Sequence, residues 1–401
     1  MMTDGVTFIV AVIFVSINGL TMLAWAAAQG YKMKPTAFAF LVGAIGNLIT
    51  GSVTPISGQS SILTVSHFMK RMNERVAALL IAVVVMVPLG LFGGVTRIAA
   101  WAGNPVIWGM MAGVGLMVMG ISFDMLKQAK RTGIISFVSA LATHAFFVYM
   151  GREGHFSPAT MRHSLVYVIA VSVTLATIDF AVIQKKRVNI ASMATDAGYE
   201  GDMSQNESPK FWTKEYWEDF KIVKPKFTLY AILFALAFIS LNIGTNIAFG
   251  NITAGFAGQQ QNMDHLTVIN SLADIPSVIF GGAPVGAIIS ATAAAPAPVA
   301  AGVVMMMLCF VLLILGLMVK AIKYIPVQAI AGFLFIIGFA STFVPQARMI
   351  FVNPTGYHVY PQHQVEMVTA MAFTALTKNP FIGLVAGVLV RYVGTFLFPF
   401  L

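Results

Sequence analysis

The chain alternates between long apolar stretches and short polar loops. A membrane-spanning helix needs about 20 mostly apolar residues, and a broken segment needs fewer. By this criterion the pattern predicts seven spanning segments in residues 1–184, a polar linker at 185–226 and seven further segments in 227–401. The predicted fold class is an all-α polytopic membrane protein with about 14 transmembrane segments.

The two sets of seven segments look like copies of each other. Residues Phe14–Asn18 of the first segment match Phe238–Asn242 of the eighth, 224 residues later. Each half then reaches a short segment interrupted by glycine and proline, Gly51–Ser61 and Gly281–Ser290. A half with an odd number of spans has to insert upside down relative to its copy. The sequence therefore predicts two inverted repeats of seven segments.

The two interrupted segments, numbers 3 and 10, are the best sequence signal for a binding site. Proline and glycine leave backbone N–H and C=O groups unpaired, which hydrocarbon tolerates only beside a cavity or inside protein. Such groups can bind a polar solute, and matched pairs of them mark the midplane site of inverted-repeat transporters. The alternative is that these residues only kink membrane helices, in which they are common. Their matched positions favour the site.

Composition supports a membrane protein and excludes a soluble enzyme. Hydrophobic residues make up 58% of the 401 residues, charged residues only 10%, and the mean hydropathy is +0.83. A soluble domain carries about 25% charged residues. The net charge of +9 comes from loop residues, so it indicates membrane topology and not nucleic-acid binding. The single cysteine, Cys309, allows no intrachain disulfide.

The distribution of Lys and Arg predicts an orientation. In the first half, the loops after segments 1, 3, 5 and 7 hold 16 of these residues, and the loops after segments 4 and 6 hold three. Basic loops stay cytoplasmic, which would place both termini outside the cell.

The order and spacing of several motifs resemble the nucleobase–cation symporter-2 (nucleobase/ascorbate transporter) family, most closely its hypoxanthine/guanine/xanthine/uracil permease branch. The resemblance spans almost the whole chain. The stretches that carry it are Val6–Asn18, Ala37–Thr64, Met111–Gly120, Asn242–Thr245, Leu272–Asp274, Phe280–Pro284 and Ile325–Ala331.

The resemblance implies a fold and a function. Segments 3 and 10 would each hold a short strand and a half-helix, with a nucleobase bound between them. Core and gate domains would interleave between the repeats, and the protein would be a homodimer in the plasma membrane that couples transport to protons. The family's termini are cytoplasmic, opposite to the orientation that the charges predict.

Two departures from the family pattern affect the expected coupling. Leu241 occupies the position of an acidic residue in segment 8, and Ser290 the position of a glutamate in segment 10. In the relatives these carboxylates hold the base and support proton coupling. Their loss predicts a changed substrate, a changed coupling, or both; Asp179, His144 and Glu366 are the alternative proton carriers.

The remaining polar residues at the predicted midplane are neutral donors and acceptors, which suit a flat uncharged heterocycle. Packing between helices is their alternative role. The predicted substrate-binding residues are Asn18, Ser57, Gln59, Ser60, Asn242, Thr245, Pro284, Gly286, Ser290 and Thr292. The predicted supporting residues are Pro55 and Asp274, the latter as an acceptor of backbone N–H groups.

No cofactor, metal site or catalytic constellation is predicted. The leading function is therefore a permease for a purine-like solute that works by alternating access. One alternative is a carrier or facilitator of the same fold for another solute such as an anion, without proton coupling. Another is a non-transporting sensor or assembly protein. In the linker, Trp212, Tyr216 and Phe220 recur every four residues, which predicts a short interfacial helix or, equally, a packed linker.

Overall fold

The computed structural model describes residues 2–59, 63, 69, 71–188, 214–351 and 361–397. Within this part of the chain, eight helices are long and apolar enough to cross a bilayer, and Pro298–Ile314 and Pro380–Gly394 are shorter apolar helices. The predicted spanning segments therefore appear as helices, except for segments 3 and 10, each of which contains a strand.

The described residues of the first half form seven helices and one strand. In chain order they are α1 (Met2–Ala28), α2 (Met33–Thr50), β1 (Ile56–Gly58), α3 (Met72–Leu91), α4 (Gly94–Gln128), α5 (Lys130–Arg152), α6 (Pro158–Arg162) and α7 (Ser164–Ile178), which continues as the π-helical turn Asp179–Ile183. The described part of the linker contains α8 (Lys214–Glu218).

The elements of the second half begin in the same order, with two helices and then a strand. They are α9 (Leu229–Ala257), α10 (Met263–Val278), β2 (Val285–Ala287), the 3-10 turn Ala291–Ala294, α11 (Pro298–Ile314), α12 (Met318–Ile322), the 3-10 turn Val327–Ile330, α13 (Ala331–Phe335), the π-helix Ile336–Phe343, α14 (Val344–Phe351), α15 (Pro361–Thr377) and α16 (Pro380–Leu397).

Local sequence explains several helix ends. The side chain of Thr228 accepts a hydrogen bond from the Ala231 N–H at the start of α9, as expected for a threonine N-cap. Asn262 does the same for α10. Helix α4 bends at Gly103, whose φ of 70° and ψ of 160° are not helical. The bend separates a short first piece, through Ala102, from the apolar piece that follows.

The helices form two packed groups, and each group takes helices from both halves. Helices α1, α2 and α3 pack with α9, α10 and α11 around the two strands. Helices α4, α5 and α7 pack with α13 to α16. We call these the strand group and the outer group. Contacts of α1 with α7 and of α9 with α4 and α16 join the two groups.

The described end of the linker packs inward. Tyr216 is buried, and the Phe220 ring lies 5.8 Å from that of Phe38 and 5.9 Å from that of Phe280. Trp217 is more than half exposed, whereas Trp212 lies outside the described residues. The spacing of four does place Tyr216 and Phe220 on one side, but this side faces the protein and not the lipid headgroups. The packed alternative describes this segment better than the interfacial helix.

Glycines let α4 approach other helices within backbone contact. A Cβ at Gly109 would overlap the backbone of Met367 in α15, and a Cβ at Gly115 would lie 2.6 Å from the Gly338 carbonyl oxygen in the π-helix. Small residues allow such close approach in membrane bundles. At Gly120, on the same helix, a Cβ would meet nothing within 4 Å.

This difference makes a prediction about stability. Gly109→Ala should destabilise the protein by about 1–3 kcal/mol, because the added methyl group overpacks the contact with α15. Gly120→Ala is the matched control and should leave the thermal unfolding midpoint in detergent unchanged or slightly raised, since alanine favours the helix. Equal midpoints for the two variants would show that the α4–α15 contact is looser than described.

A candidate solute site at the crossing of two broken segments

The two interrupted segments meet as an antiparallel pair of strands. Residues Ile56, Ser57 and Gly58 of β1 lie opposite Ala287, Gly286 and Val285 of β2, respectively. All six residues are buried. The Ile288 N–H also donates to the Pro55 carbonyl at 3.2 Å. The crossing thus brings Ser57 and Gly286, two predicted binding residues from opposite halves, directly opposite each other.

Proline and glycine explain why the chain is extended here. A helix through Pro55 or Pro284 would lose a backbone hydrogen bond and clash with the preceding turn. Gly51 and Gly281, with φ of 69° and 80°, end the preceding helical stretches in the left-handed region. Pairing the two strands then satisfies backbone groups that neither segment could satisfy alone inside a membrane.

The start of segment 3 is held by side chains from both halves. The Asn47 Nδ2 donates to the Thr54 carbonyl at 2.8 Å. The Gln261 Oε1 accepts from the Thr54 Oγ1 at 3.0 Å and the Ser52 Oγ at 3.3 Å. Gln261 belongs to the loop between α9 and α10, the first two helices of the second half.

The start of segment 10 is held in the corresponding way. The Lys32 N–H, in the loop between α1 and α2, donates to the Gly281 carbonyl at 2.9 Å. The Ala283 N–H donates to the Thr36 Oγ1 at 2.8 Å, and the Val285 N–H donates to the Asp274 Oδ1 at 2.8 Å. Each broken segment is therefore anchored by the first helix–helix loop of the opposite half. The Asp274 carboxyl group thus accepts a backbone N–H group of segment 10.

Several buried polar atoms of the strand group have no hydrogen-bond partner among the described residues, among them the Ser57 Oγ and the Gln59 Oε1 of segment 3, the Asn47 Oδ1 of α2 and the Asn242 Oδ1 of α9. Gln59 does use its other amide atom, since its Nε2 donates to the Ala287 carbonyl at 3.3 Å. A buried polar atom without a partner costs about 1–3 kcal/mol. Such atoms are candidates for contact with a bound solute.

Other predicted binding residues are engaged locally. The Thr245 Oγ1 donates to the Leu241 carbonyl at 2.8 Å within α9. The Ser290 Oγ lies 2.7 Å from the Thr292 Oγ1 and accepts the Thr292 N–H at 3.2 Å. Asn18 is half-buried in α1. Ser60 lies outside the described residues.

The expected half-helix of segment 10 is only the 3-10 turn Ala291–Ala294. Pro296 and Pro298 explain its shortness, since both lack the N–H that a continuing helix would need. The corresponding part of segment 3 lies outside the described residues apart from Leu63 and Met69.

Several residues that hold the crossing in place are not identified by any clear pattern in the sequence. Gln261 and Thr36 hold the broken segments through contacts more than 200 residues apart in sequence. Gly19 lets α1 approach β1, because a Cβ there would lie 2.6 Å from the Ser57 Oγ. The sequence signal for Gly19 is its position beside Asn18 in the repeated motif.

The three alternative proton carriers differ in their hydrogen-bond and ion-pair partners. The Asp179 Oδ1 lies 2.8 Å from the Arg131 Nη2, and the Glu366 Oε2 lies 2.9 Å from the Arg391 Nη2. Both pairs lie in the outer group. The His144 Nδ1 is buried there without a hydrogen-bond partner among the described residues. In the same part of the chain, no group of three His, Cys, Asp or Glu side chains could hold a metal ion.

Comparisons by sequence find no match, either among protein-family models or among curated proteins. Solved structures do match. A structure of SLC26A9 aligns with a TM-score of 0.57 and 12% identity, covering 98% of this chain and 65% of that one. A structure of murine Slc26a9, described as an anion transporter in the inward-facing state, aligns with a TM-score of 0.54 and 12% identity, covering 99% and 68%.

The transmembrane domain of a cyanobacterial bicarbonate transporter, BicA, aligns with a TM-score of 0.49 and 15% identity, covering 96% of this chain and 98% of that one. The chain spans about two thirds of the length of the SLC26A9 chains, 65% and 68%. These neighbours are membrane transporters and not enzymes.

The SLC26A9 alignments show the fold. The chain is an integral, multi-pass membrane protein with the inverted-repeat fold of transmembrane transporters. The SLC26 transporters share this fold with the nucleobase–cation symporter-2 family. The resemblance found in the sequence is thus confirmed for the fold, whereas the comparisons do not extend to the nucleobase permease branch.

The bond between Asp274 and β2 makes a prediction about which property of the side chain supports the strand. Asp274→Ala should lower the free energy of unfolding by about 1–3 kcal/mol, because the buried Val285 N–H loses its acceptor. Asp274→Asn keeps an acceptor oxygen and should unfold within a few degrees of the unsubstituted protein. Thermal unfolding in detergent measures both. Strong destabilisation by Asn would show that the negative charge, and not the acceptor, is what matters.

Proposed function

We propose that the protein is a secondary transporter that moves a small, uncharged planar solute across the plasma membrane by alternating access. The observation that carries this proposal is the buried crossing of β1 and β2, where polar atoms of segment 3 have no partner among the described residues. A purine-type nucleobase is the solute class that we favour. The homodimer that the resemblance implies stays a prediction.

The polarity of the unpartnered atoms supports a solute that donates hydrogen bonds. Because the Gln59 Nε2 donates to a backbone carbonyl, its Oε1 is left as an acceptor. The Ser57 Oγ can donate or accept. An N–H edge of a heterocycle satisfies such acceptors, whereas a halide such as chloride has no hydrogen-bond donor.

The charges near the crossing support the same choice. The carboxyl group of Asp274 lies directly against β2. Among the described residues, no hydrogen bond or ion pair at the two strands comes from a Lys or Arg side chain. An anion held by the described groups alone would have no cationic partner, which is unfavourable in a site of low dielectric.

The two packed groups support alternating access. The strands and their unpartnered atoms belong to the strand group, and the outer group covers it through α4, α7 and α16. Movement of one group against the other around a fixed site is the way in which inverted-repeat transporters expose that site to each side in turn.

An anion is the second candidate solute. The observation in its favour is the fold shared with murine Slc26a9, described as an anion transporter. The backbone N–H groups of the broken segments would be its ligands. A non-transporting sensor would bind the same solute without flux.

The first prediction from this proposal concerns the solute. Proteoliposomes should take up labelled hypoxanthine, and unlabelled xanthine or uracil should compete, while bicarbonate and chloride should not. Gln59→Leu should raise the KM by about 2- to 12-fold, the value of one hydrogen bond of about 0.5–1.5 kcal/mol.

Gln128→Leu is the matched control for this experiment, because Gln128 is exposed and far along α4 from the crossing; its KM should not change. Absence of both uptake and competition by nucleobases would overturn the purine assignment. Uptake of a labelled anion in the same vesicles would favour the second candidate, and saturable binding without flux would indicate a sensor.

The second prediction concerns coupling. An inside-alkaline pH gradient should not change the initial rate of uptake, because Leu241 and Ser290 replace the acidic residues through which the resembling family couples to protons. The measurement compares initial rates with and without the gradient. A stimulated rate would contradict uncoupled transport, and Asp179, His144 and Glu366 would then be substituted in turn.

A further inference from the structure

The described end of the linker crosses one end of the strand group and is tied to it. We call residues 214–226 the strap. Tyr216 is 1% exposed, and its Oη donates to the Ile314 carbonyl at 2.6 Å, at the C-terminal end of α11. Further along, the Val223 N–H donates to the Ile279 carbonyl at 2.9 Å, and the Lys226 N–H donates to the Asn73 carbonyl at 3.0 Å. The strap thus contacts elements of both halves.

A buried ion pair holds the centre of the strap. The Lys34 Nζ lies 2.7 Å from the Asp219 Oδ2, and the two side chains are only 6% and 11% exposed. The ammonium group also lies 4.4 Å from the centre of the Tyr216 ring. Removing one member of a buried pair leaves an uncompensated charge, so such a pair constrains its surroundings strongly.

The burial of Tyr216 has a second effect. Desolvation, and then the nearby Asp219 charge, raise the pKa of the Tyr216 phenol. The hydroxyl group therefore stays protonated and keeps its bond to Ile314.

The same residues lead directly to the solute site. The Lys32 Nζ donates to the Asp219 carbonyl at 3.2 Å, while the backbone of Lys32 bonds Gly281 and forms a bridge with Gly282. Four residues along α2, Thr36 accepts the Ala283 N–H. A series of contacts from Asp219 through Lys32 to Gly281 therefore connects the strap to the segment that contains β2.

The strap acts on segment 10 from a second side as well. Val223 bonds the residue at the end of α10, and its Cγ2 would lie 3.1 Å from a Cβ at Gly281. Gly281 has a φ of 80°, which glycine adopts without strain, and the close Val223 side chain leaves no room there for a larger residue.

We propose that the strap is a positioning element for the solute site, in which the buried Lys34–Asp219 ion pair holds the α1–α2 loop against the start of segment 10 and thereby sets β2 against β1. Asp219 is then a positioning residue: it touches no solute, and it acts on binding through Lys32, Lys34 and Gly281. The transport readout of this proposal rests on the proposed function, but the positioning of β2 can be measured without any solute.

Hydrogen–deuterium exchange of the full-length protein in nanodiscs tests the positioning. In Asp219→Asn, peptides covering residues 280–288 should exchange at least about tenfold faster, whereas peptides of α15 should not change. Lys34→Met should act in the same direction. The double variant Lys34→Met/Asp219→Asn should exchange more slowly than Asp219→Asn alone, because no buried charge is left unpaired.

Glu218→Gln is the matched control. Glu218 lies beside Asp219 but forms an exposed pair with Lys221, with side chains 63% and 71% exposed. Its exchange should equal that of the unsubstituted protein, as should that of Lys34→Arg, which conserves the charge. If Asp219→Asn does not fold, Tyr216→Phe carries the test, because it removes only the bond to Ile314 and should still speed exchange at residues 280–288.

Transport measurements complete the test. Where hypoxanthine uptake is seen, Asp219→Asn should raise the KM more than it lowers the maximal rate. Unchanged exchange at residues 280–288 in the folded variants would overturn the positioning role, even if their thermal midpoints fell. Faster exchange in a protein that transports no nucleobase would support the strap while contradicting the proposed solute.

Discussion

The structure depends on one constraint: a broken segment inside a membrane has to find hydrogen-bond partners for its own backbone. Segments 3 and 10 meet this need together, because β1 pairs with β2 and each start is held by a loop of the opposite half. Neither half could do this alone, since hydrocarbon offers no partner for a free N–H or C=O. The inverted repeat therefore has a structural role. It brings two unsatisfied segments to the same depth, where they satisfy each other.

Close packing around the crossing follows from the same constraint. Two short strands can pair only if the surrounding helices come near enough to enclose them, and glycines permit that approach. Gly19 admits the Ser57 side chain beside α1, and a Cβ at Gly43 would overlap the Ile56 side chain. Ile56 is fully buried as a result. Few polar atoms remain without a hydrogen-bond partner in such a closely packed region, so each of them is informative about the solute.

Neutral groups make most of the contacts at the crossing, and the ion pairs lie away from it. At the crossing itself, amide, hydroxyl and backbone groups make the described contacts, with Asp274 behind β2. The ion pairs lie elsewhere: Glu366 with Arg391 in the outer group, and Lys34 with Asp219 under the strap. Buried charges cost free energy unless they are paired. Such pairs fix the position of elements, while neutral groups remain available for a solute that exchanges with water.

The sequence by itself determined the number and order of the segments, the inverted relation of the halves and the location of the two breaks. Apolar length, proline and glycine act locally, so each of these features can be read within a short window. Only the tertiary structure decided which strand residues face each other, that Gln261 and Thr36 anchor the breaks, that Thr245 and Ser290 bond locally, and that the aromatic side of the linker packs inward against Phe38 and Phe280. These outcomes depend on partners far away along the chain, and a local pattern carries no information about them.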